Sequence, residues 1–177
     1  MFRAFTLRDG TDVVLRALRW SDLDDLLELH NELIDEEAMI GGDEKMTRGE
    51  QVDRHADMMK DVEGGRSVVI VAEIDGKAVG QTNARKRGGR LSHTAGLGVF
   101  VRRAHRGRGI GSELIRELEA QAVKIGVEVL CLEVYSVSPA VELYRRLGYV
   151  EYGRLPSGIR YRGGYVDAVS MYKRIAG

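Results

Sequence analysis

The sequence predicts an α/β (α+β) domain: a mixed, mostly antiparallel sheet of six to seven strands flanked by about four helices. Three observations carry this expectation. β-Branched apolar runs alternate with helix-period stripes along the 177 residues. Asp75-Gly76 joins two of those runs as a tight hairpin. Residues 91–134 read as strand, glycine turn, helix and strand, a unit that joins parallel strands through a right-handed crossover. The length suits one domain, 1–177 with a core over about 13–173, and 44% hydrophobic content is ample for it.

The elements follow in order. Residues 13–18 read as a first strand, and Ser21 as the N-cap of a helix whose stripe is Leu23, Leu26, Leu27, His30, Leu33 and Ile34. After Gly41-Gly42, Thr47-Arg48-Gly49-Glu50 has the capping-box pattern for a second helix running to about Val62. Residues 67–74 and 77–87 form the hairpin, and 91–101 the next strand. A helix over about 109–125 buries Leu114, Ile115, Leu118, Ala122 and Ile125, and Gly126 ends it. The apolar run 127–134 reads as a strand in the middle of the sheet. Ser138 and Pro139 open a short helix that closes at Gly148. Residues 149–155 and 165–172 read as final strands around a loop rich in glycine and arginine.

Composition excludes several classes. The longest interior apolar run, 68–72, is far too short to span a bilayer, so no membrane association is expected. The start, 1–6, lacks the apolar stretch of a secretory signal, and cytoplasmic localisation is the expectation. A lone Cys131 closes no internal disulfide and builds no Cys-based zinc site, and no His, Asp or Glu spacing suggests a metal. The 27 basic and 27 acidic residues cancel, which argues against bulk nucleic-acid binding. That cancellation is not local: residues 22–44 hold ten acidic side chains and no lysine or arginine, and 85–108 hold eight lysines and arginines and no acidic side chain.

The basic block runs into Arg106-Gly107-Arg108-Gly109-Ile110-Gly111-Ser112. Glycines at alternate positions let backbone N–H groups approach a ligand, and the following helix adds unpaired N–H groups and its positive dipole end. Together they suit a diphosphate. The pattern lacks the lysine of a Walker loop, and Ser112 stands where a dinucleotide fingerprint needs its third glycine.

Arg106, Gly109 and Gly111 after Val99-Phe100-Val101 resemble the acetyl-CoA site of the GCN5-related N-acetyltransferases. A second signature, Leu132-Glu133-Val134 followed by Ala140-Val141-Glu142-Leu143-Tyr144 and Gly148-Tyr149, is similar to that family's Leu-Glu-Val strand and tyrosine helix. The resemblance covers nearly the whole chain. It implies a sheet splayed between its fourth and fifth strands, 91–101 and 127–134, with the pantetheine arm in the gap. It also implies acetyl-CoA as acyl donor, its diphosphate on 106–112 and its amides on the backbone of Val99, Phe100 and Val101. Arg102, Arg103, Arg106 or Arg108 would meet the remaining phosphate charge. Two positions depart from the family pattern: Val137 stands where an asparagine is often found, and Arg103 replaces the usual proline.

Acetylation of an amine needs a neutral nucleophile, a stabilised oxyanion and help for the departing thiolate. The resemblance makes Tyr144 the general acid and Glu133 the base, directly or through water, with Glu73 and His93 as weaker base candidates. An acidic cluster with Glu36 and Glu37 at its centre favours a cationic acceptor, whereas Arg154, Arg160 and Arg162 would favour a carboxylate. The expected activity is transfer of acetyl from acetyl-CoA to a primary amine of a small molecule or amino acid, in a ternary complex. The alternatives are a protein or peptide acetyltransferase and a non-catalytic acyl-CoA-binding module. The expected partners are the amine or peptide substrate, and a homodimer is allowed.

Overall fold

The computed structural model describes residues 1–176. The strands are β1 (Arg3–Thr6), β2 (Asp12–Ala17), β3 (Ser67–Ile74), β4 (Lys77–Lys86), β5 (Thr94–Val101), β6 (Val129–Tyr135), β7 (Val150–Tyr161) and β8 (Gly164–Arg174). The helices are α1 (Leu23–Asp35), α2 (Arg48–Glu63), α3 (Ile110–Lys124) and α4 (Ala140–Arg146). All eight strands form one sheet in the order β1-β2-β3-β4-β5-β6-β8-β7, antiparallel except where β5 meets β6.

The alternation of β3 shows how the layers are assigned. Val68, Ile70, Ala72 and Ile74 face a core built with Leu114, Ile115 and Leu118 of α3 and Val141 and Tyr144 of α4. Val69 and Val71 face the other way, toward Leu26, Leu29 and Leu33 of α1 and the partly buried Met58 and Met59 of α2. A strand covered on both faces is apolar through its middle, which is why 68–72 lacks the polar half of an alternating pattern.

The start of α1 differs from the sequence expectation. Asp22, not Ser21, precedes the helix, and its carboxylate accepts from the Arg19 backbone N–H at 2.8 Å. Arg16 on β2, 2% exposed, donates to both oxygens of Asp22 at 2.7 and 2.8 Å and through Nε to Glu73 at 2.5 Å. This buried network ties β2, β3 and the entry to α1, and burial of two charges demands such pairing. At α2 the capping box forms as expected: the Thr47 hydroxyl accepts from Glu50 N, and the Glu50 carboxylate accepts from Thr47 N at 2.8 Å.

Two further differences lie at the ends of the chain. The strand count is eight because the four-residue β1 adds to β2 through a turn at Leu7–Thr11, where Leu7 N donates to Thr11 O. Four residues are too few for a period-2 pattern to register. The expected loop between the final strands is mostly strand, and β7 and β8 pair from Val150↔Tyr172 to Tyr161↔Gly164. Pro156, Ser157 and Gly158 read as loop but sit in a register shift between Leu155 and Ile159, where Ser157 N donates to Asp167 at 3.0 Å.

Candidate active site

The parallel contact of β5 with β6 is short. It runs Thr94↔Val129, Ala95↔Leu130 and Gly96↔Cys131 and then stops. Beyond it β5 stays with β4 as far as Val101↔Gly80, and β6 stays with β8 as far as Tyr135↔Ala168. The sheet therefore splays between the expected strands, and residues 97–101 have one backbone edge without a strand partner. A cavity of about 470 Å³ occupies the wide end of this wedge. Val99, Phe100 and Val101 form one side, Ser138, Pro139 and Ala140 another, and the end of α1 with Met39 and Ile40 the roof.

The glycine turn lies at the carboxyl end of β5. Gly107 and Gly109 hold positive φ, +71° and +91°, and a Cβ at either would meet no atom within 4 Å. Gly109 is the N-cap of α3 and brings no side-chain cap, so the first-turn N–H groups face outward unpaired. A Cβ on Gly111 would point between Val101 and Leu143, each 3.9 Å away, into the wedge itself. Ile110 is buried at 1% exposure and Ser112 is half-buried, so these two offer backbone rather than side chain to a ligand. The turn thus has the open space and free donors that a diphosphate requires.

The four arginines divide. Arg102 is a structural residue: it donates to Ala78 O, Asp25 O, Glu28 and Glu32, and fastens α1 to the edge of β4 and β5. Its expected phosphate role gives way to that anchoring. Arg108 pairs with Asp9 and donates to Thr11 Oγ1 at 2.9 Å, joining the glycine turn to the β1–β2 turn. Arg106 donates through Nε to Val101 O at 2.8 Å and pairs with Glu36. Arg103 is exposed on the cavity rim.

Tyr144 lies four residues, about one helical turn, beyond Ala140, on the same face of α4. It is buried, its ring is edge to face with Tyr149 at 5.6 Å, and burial pushes its hydroxyl pKa up to about 12. Leu132 and Val134 of β6 share that core. Glu133, between them, projects from the opposite face with Cys131 and Tyr135, and it is exposed. Tyr144 and Glu133 therefore lie on opposite faces of β6, and neither side chain lines the cavity.

Glu36 and Glu37 both border the cavity, and both are paired: Glu36 with Arg106, Glu37 with Arg162 at 3.2 Å. The two weaker base candidates stand elsewhere. Glu73 is taken up by Arg16, and His93 precedes β5 at the closed end of the wedge, where its carbonyl accepts from Glu128 and Val129. Arg154 is held by Glu151 and Asp167, and Arg160 stacks over Tyr165 at 5.8 Å. The roof of the cavity was not legible in advance. Tyr135 donates to Ile40 O at 2.6 Å, Tyr161 donates to Glu37 O at 3.3 Å, and the two rings meet at 5.4 Å. These contacts join segments about a hundred residues apart, and no local pattern announces them.

The model of the acetyltransferase (GNAT) family matches residues 26–149. No curated protein matches the sequence. Among solved structures, a ribosomal-protein-alanine N-acetyltransferase from Brucella melitensis is 27% identical, with TM-score 0.81 over 91% of this chain and 99% of its own. A GNAT phosphinothricin acetyltransferase from Sinorhizobium meliloti in complex with acetyl-CoA is 20% identical, with TM-score 0.83 over 93% and 89%. A GCN5-related N-acetyltransferase from Kribbella flavida is 24% identical, with TM-score 0.81 over 92% and 97%.

Proposed function

Because the chain belongs to the acetyltransferase (GNAT) family, using acetyl-CoA as its acyl donor, we propose that it acetylates a primary amine of a small molecule or amino acid. The observation that carries the acceptor class is the roofed cavity. At about 470 Å³, bordered by α1, Ile40 and the tip of the β7–β8 hairpin, it has the dimensions of a small-molecule site, part of which the pantetheine end would take along Val99, Phe100 and Val101.

In this reading residues 1–177 act as one catalytic domain in a ternary complex. The donor supplies an activated thioester. The free backbone edge of Val99, Phe100 and Val101 holds the pantetheine amides, and an N–H of that edge polarises the thioester carbonyl. Gly107, Gly109 and Gly111 with the first turn of α3 take the diphosphate, and Arg106 and Arg108 lie beside it.

Glu133, exposed on the face of β6 away from Tyr144, draws the proton from the amine directly or through water. Tyr144 keeps its proton at every working pH. With its pKa pushed up to about 12, well above the about 8.5 of a free thiol, full transfer of its proton to the thiolate is uphill. Tyr144 therefore serves the departing thiolate as a hydrogen-bond donor.

A second reading, acetylation of a peptide N-terminus, is favoured by the likeness to the Brucella melitensis enzyme named for a ribosomal protein alanine. Initial rates of CoA thiol release over matched panels of small amines and peptides separate the two. The first reading expects turnover of small amines and none of peptides. Turnover confined to peptides reverses it, and acetyl-CoA binding without turnover of either panel supports a non-catalytic module.

A further inference from the structure

Arg106 is held at two points across the mouth of the wedge. Its Nε donates to the carbonyl of Val101, the last residue of β5, and Nη2 pairs with Glu36 at the end of α1. The two anchors stand on different walls of one cavity: Val101 on the edge that holds the donor in the reading above, Glu36 on the α1 wall opposite the donor's thioester end. Glu36 is 14% exposed at its side chain, while Arg106 remains 41% exposed and so has room to swing toward the adjoining Gly107–Gly109 turn.

Resting on the acetyl-CoA reading of this site, we propose that Arg106 and Glu36 form a latch that the donor's diphosphate opens, and that the freed Glu36 then receives a cationic group of the acceptor. A diphosphate with two negative charges, set on the free N–H groups of the turn, outcompetes a single carboxylate for the guanidinium. Once Arg106 leaves, Glu36 faces the cavity that it lines without its cationic partner, a state that favours capture of another cation. Its neighbour Glu37 is held by Arg162 and stays so. Donor binding therefore creates the acceptor's charge complement, and by reciprocity a bound cationic acceptor strengthens donor binding. The latch accounts for a carboxylate and an arginine meeting where a cofactor must pass.

The test is titration of CoA alone, by calorimetry at low ionic strength, into the unaltered chain, Glu36→Gln, Arg106→Ala and the double variant. The latch predicts that Glu36→Gln binds CoA about three- to fivefold more tightly, because it removes a competitor of ion-pair strength. It predicts that the gain vanishes in the Arg106→Ala background. With any amine that is turned over, Glu36→Gln raises the acceptor KM and lowers kcat little. CoA binding that Glu36→Gln leaves unchanged or weakens overturns the latch and leaves the functional reading standing. Absence of CoA binding by the unaltered chain overturns both.

Discussion

Tyr144 and Tyr149 meet edge to face with ring centres 5.6 Å apart, both buried in the core that α4 closes. The Tyr149 hydroxyl and Glu119 Oε1 are both buried without a hydrogen-bond partner among the described residues. Tyr149 thus acts as a fixed wall that holds the Tyr144 ring in one orientation. Tyr144→Phe keeps that packing and removes only the donor. It is expected to lower kcat by about tenfold to a hundredfold with little change in the KM for acetyl-CoA. Steady-state kinetics of thiol release check this, and a variant with unaltered kcat removes Tyr144 from the reaction.

The buried triad predicts a stability effect without a catalytic one. Asp22→Ala leaves the guanidinium of Arg16, 2% exposed, with Glu73 alone and the Arg19 N–H without its acceptor. The expected loss is about 3–5 kcal/mol of unfolding free energy, read from urea denaturation. CoA affinity of the folded variant should not change, since the triad lies outside the wedge.

His55 sets a pH dependence. It is fully buried on α2, with Nε2 2.9 Å from Arg19 O and Nδ1 unpartnered, and burial holds its pKa below the ordinary 6.5. The unfolded chain therefore binds a proton that the folded chain refuses. Stability is full above pH 6.5 and falls as the pH drops from there toward the depressed value. Carboxylates held low by arginine, such as Asp61 beside Arg66, act in a separate window below about pH 4. Urea midpoints at pH 7.5 and 5.5 should differ in the unaltered chain, and His55→Gln should flatten that difference.

The legible part of this molecule was local or short-range. The hairpin at Asp75-Gly76, the capping box at Thr47 and Glu50, and the glycine turn before α3 are each written within a few residues, and each stands where the patterns place it. The splay between β5 and β6 followed from a resemblance carried by two separated motifs. What escaped depends on contacts between distant segments. The competition that gives Arg102 to α1 rather than to a phosphate requires Glu28 and Glu32 to lie beside β5, and residue spacing does not encode that. The long β7–β8 hairpin was hidden by Pro156 and Gly158, which a register shift absorbs. The cavity roof, where Tyr135 and Tyr161 meet α1, joins three elements at once.

In the proposed reading the Gly107–Gly111 turn and the wedge beside it hold the acyl donor. Gly111→Ala tests this most directly, because the added methyl meets no protein atom closer than 3.9 Å and points into the wedge. Calorimetric titration is expected to show CoA bound by the unaltered chain and weakened by about tenfold or more in Gly111→Ala, with thermal stability preserved. Equal CoA affinity in the two proteins would contradict it.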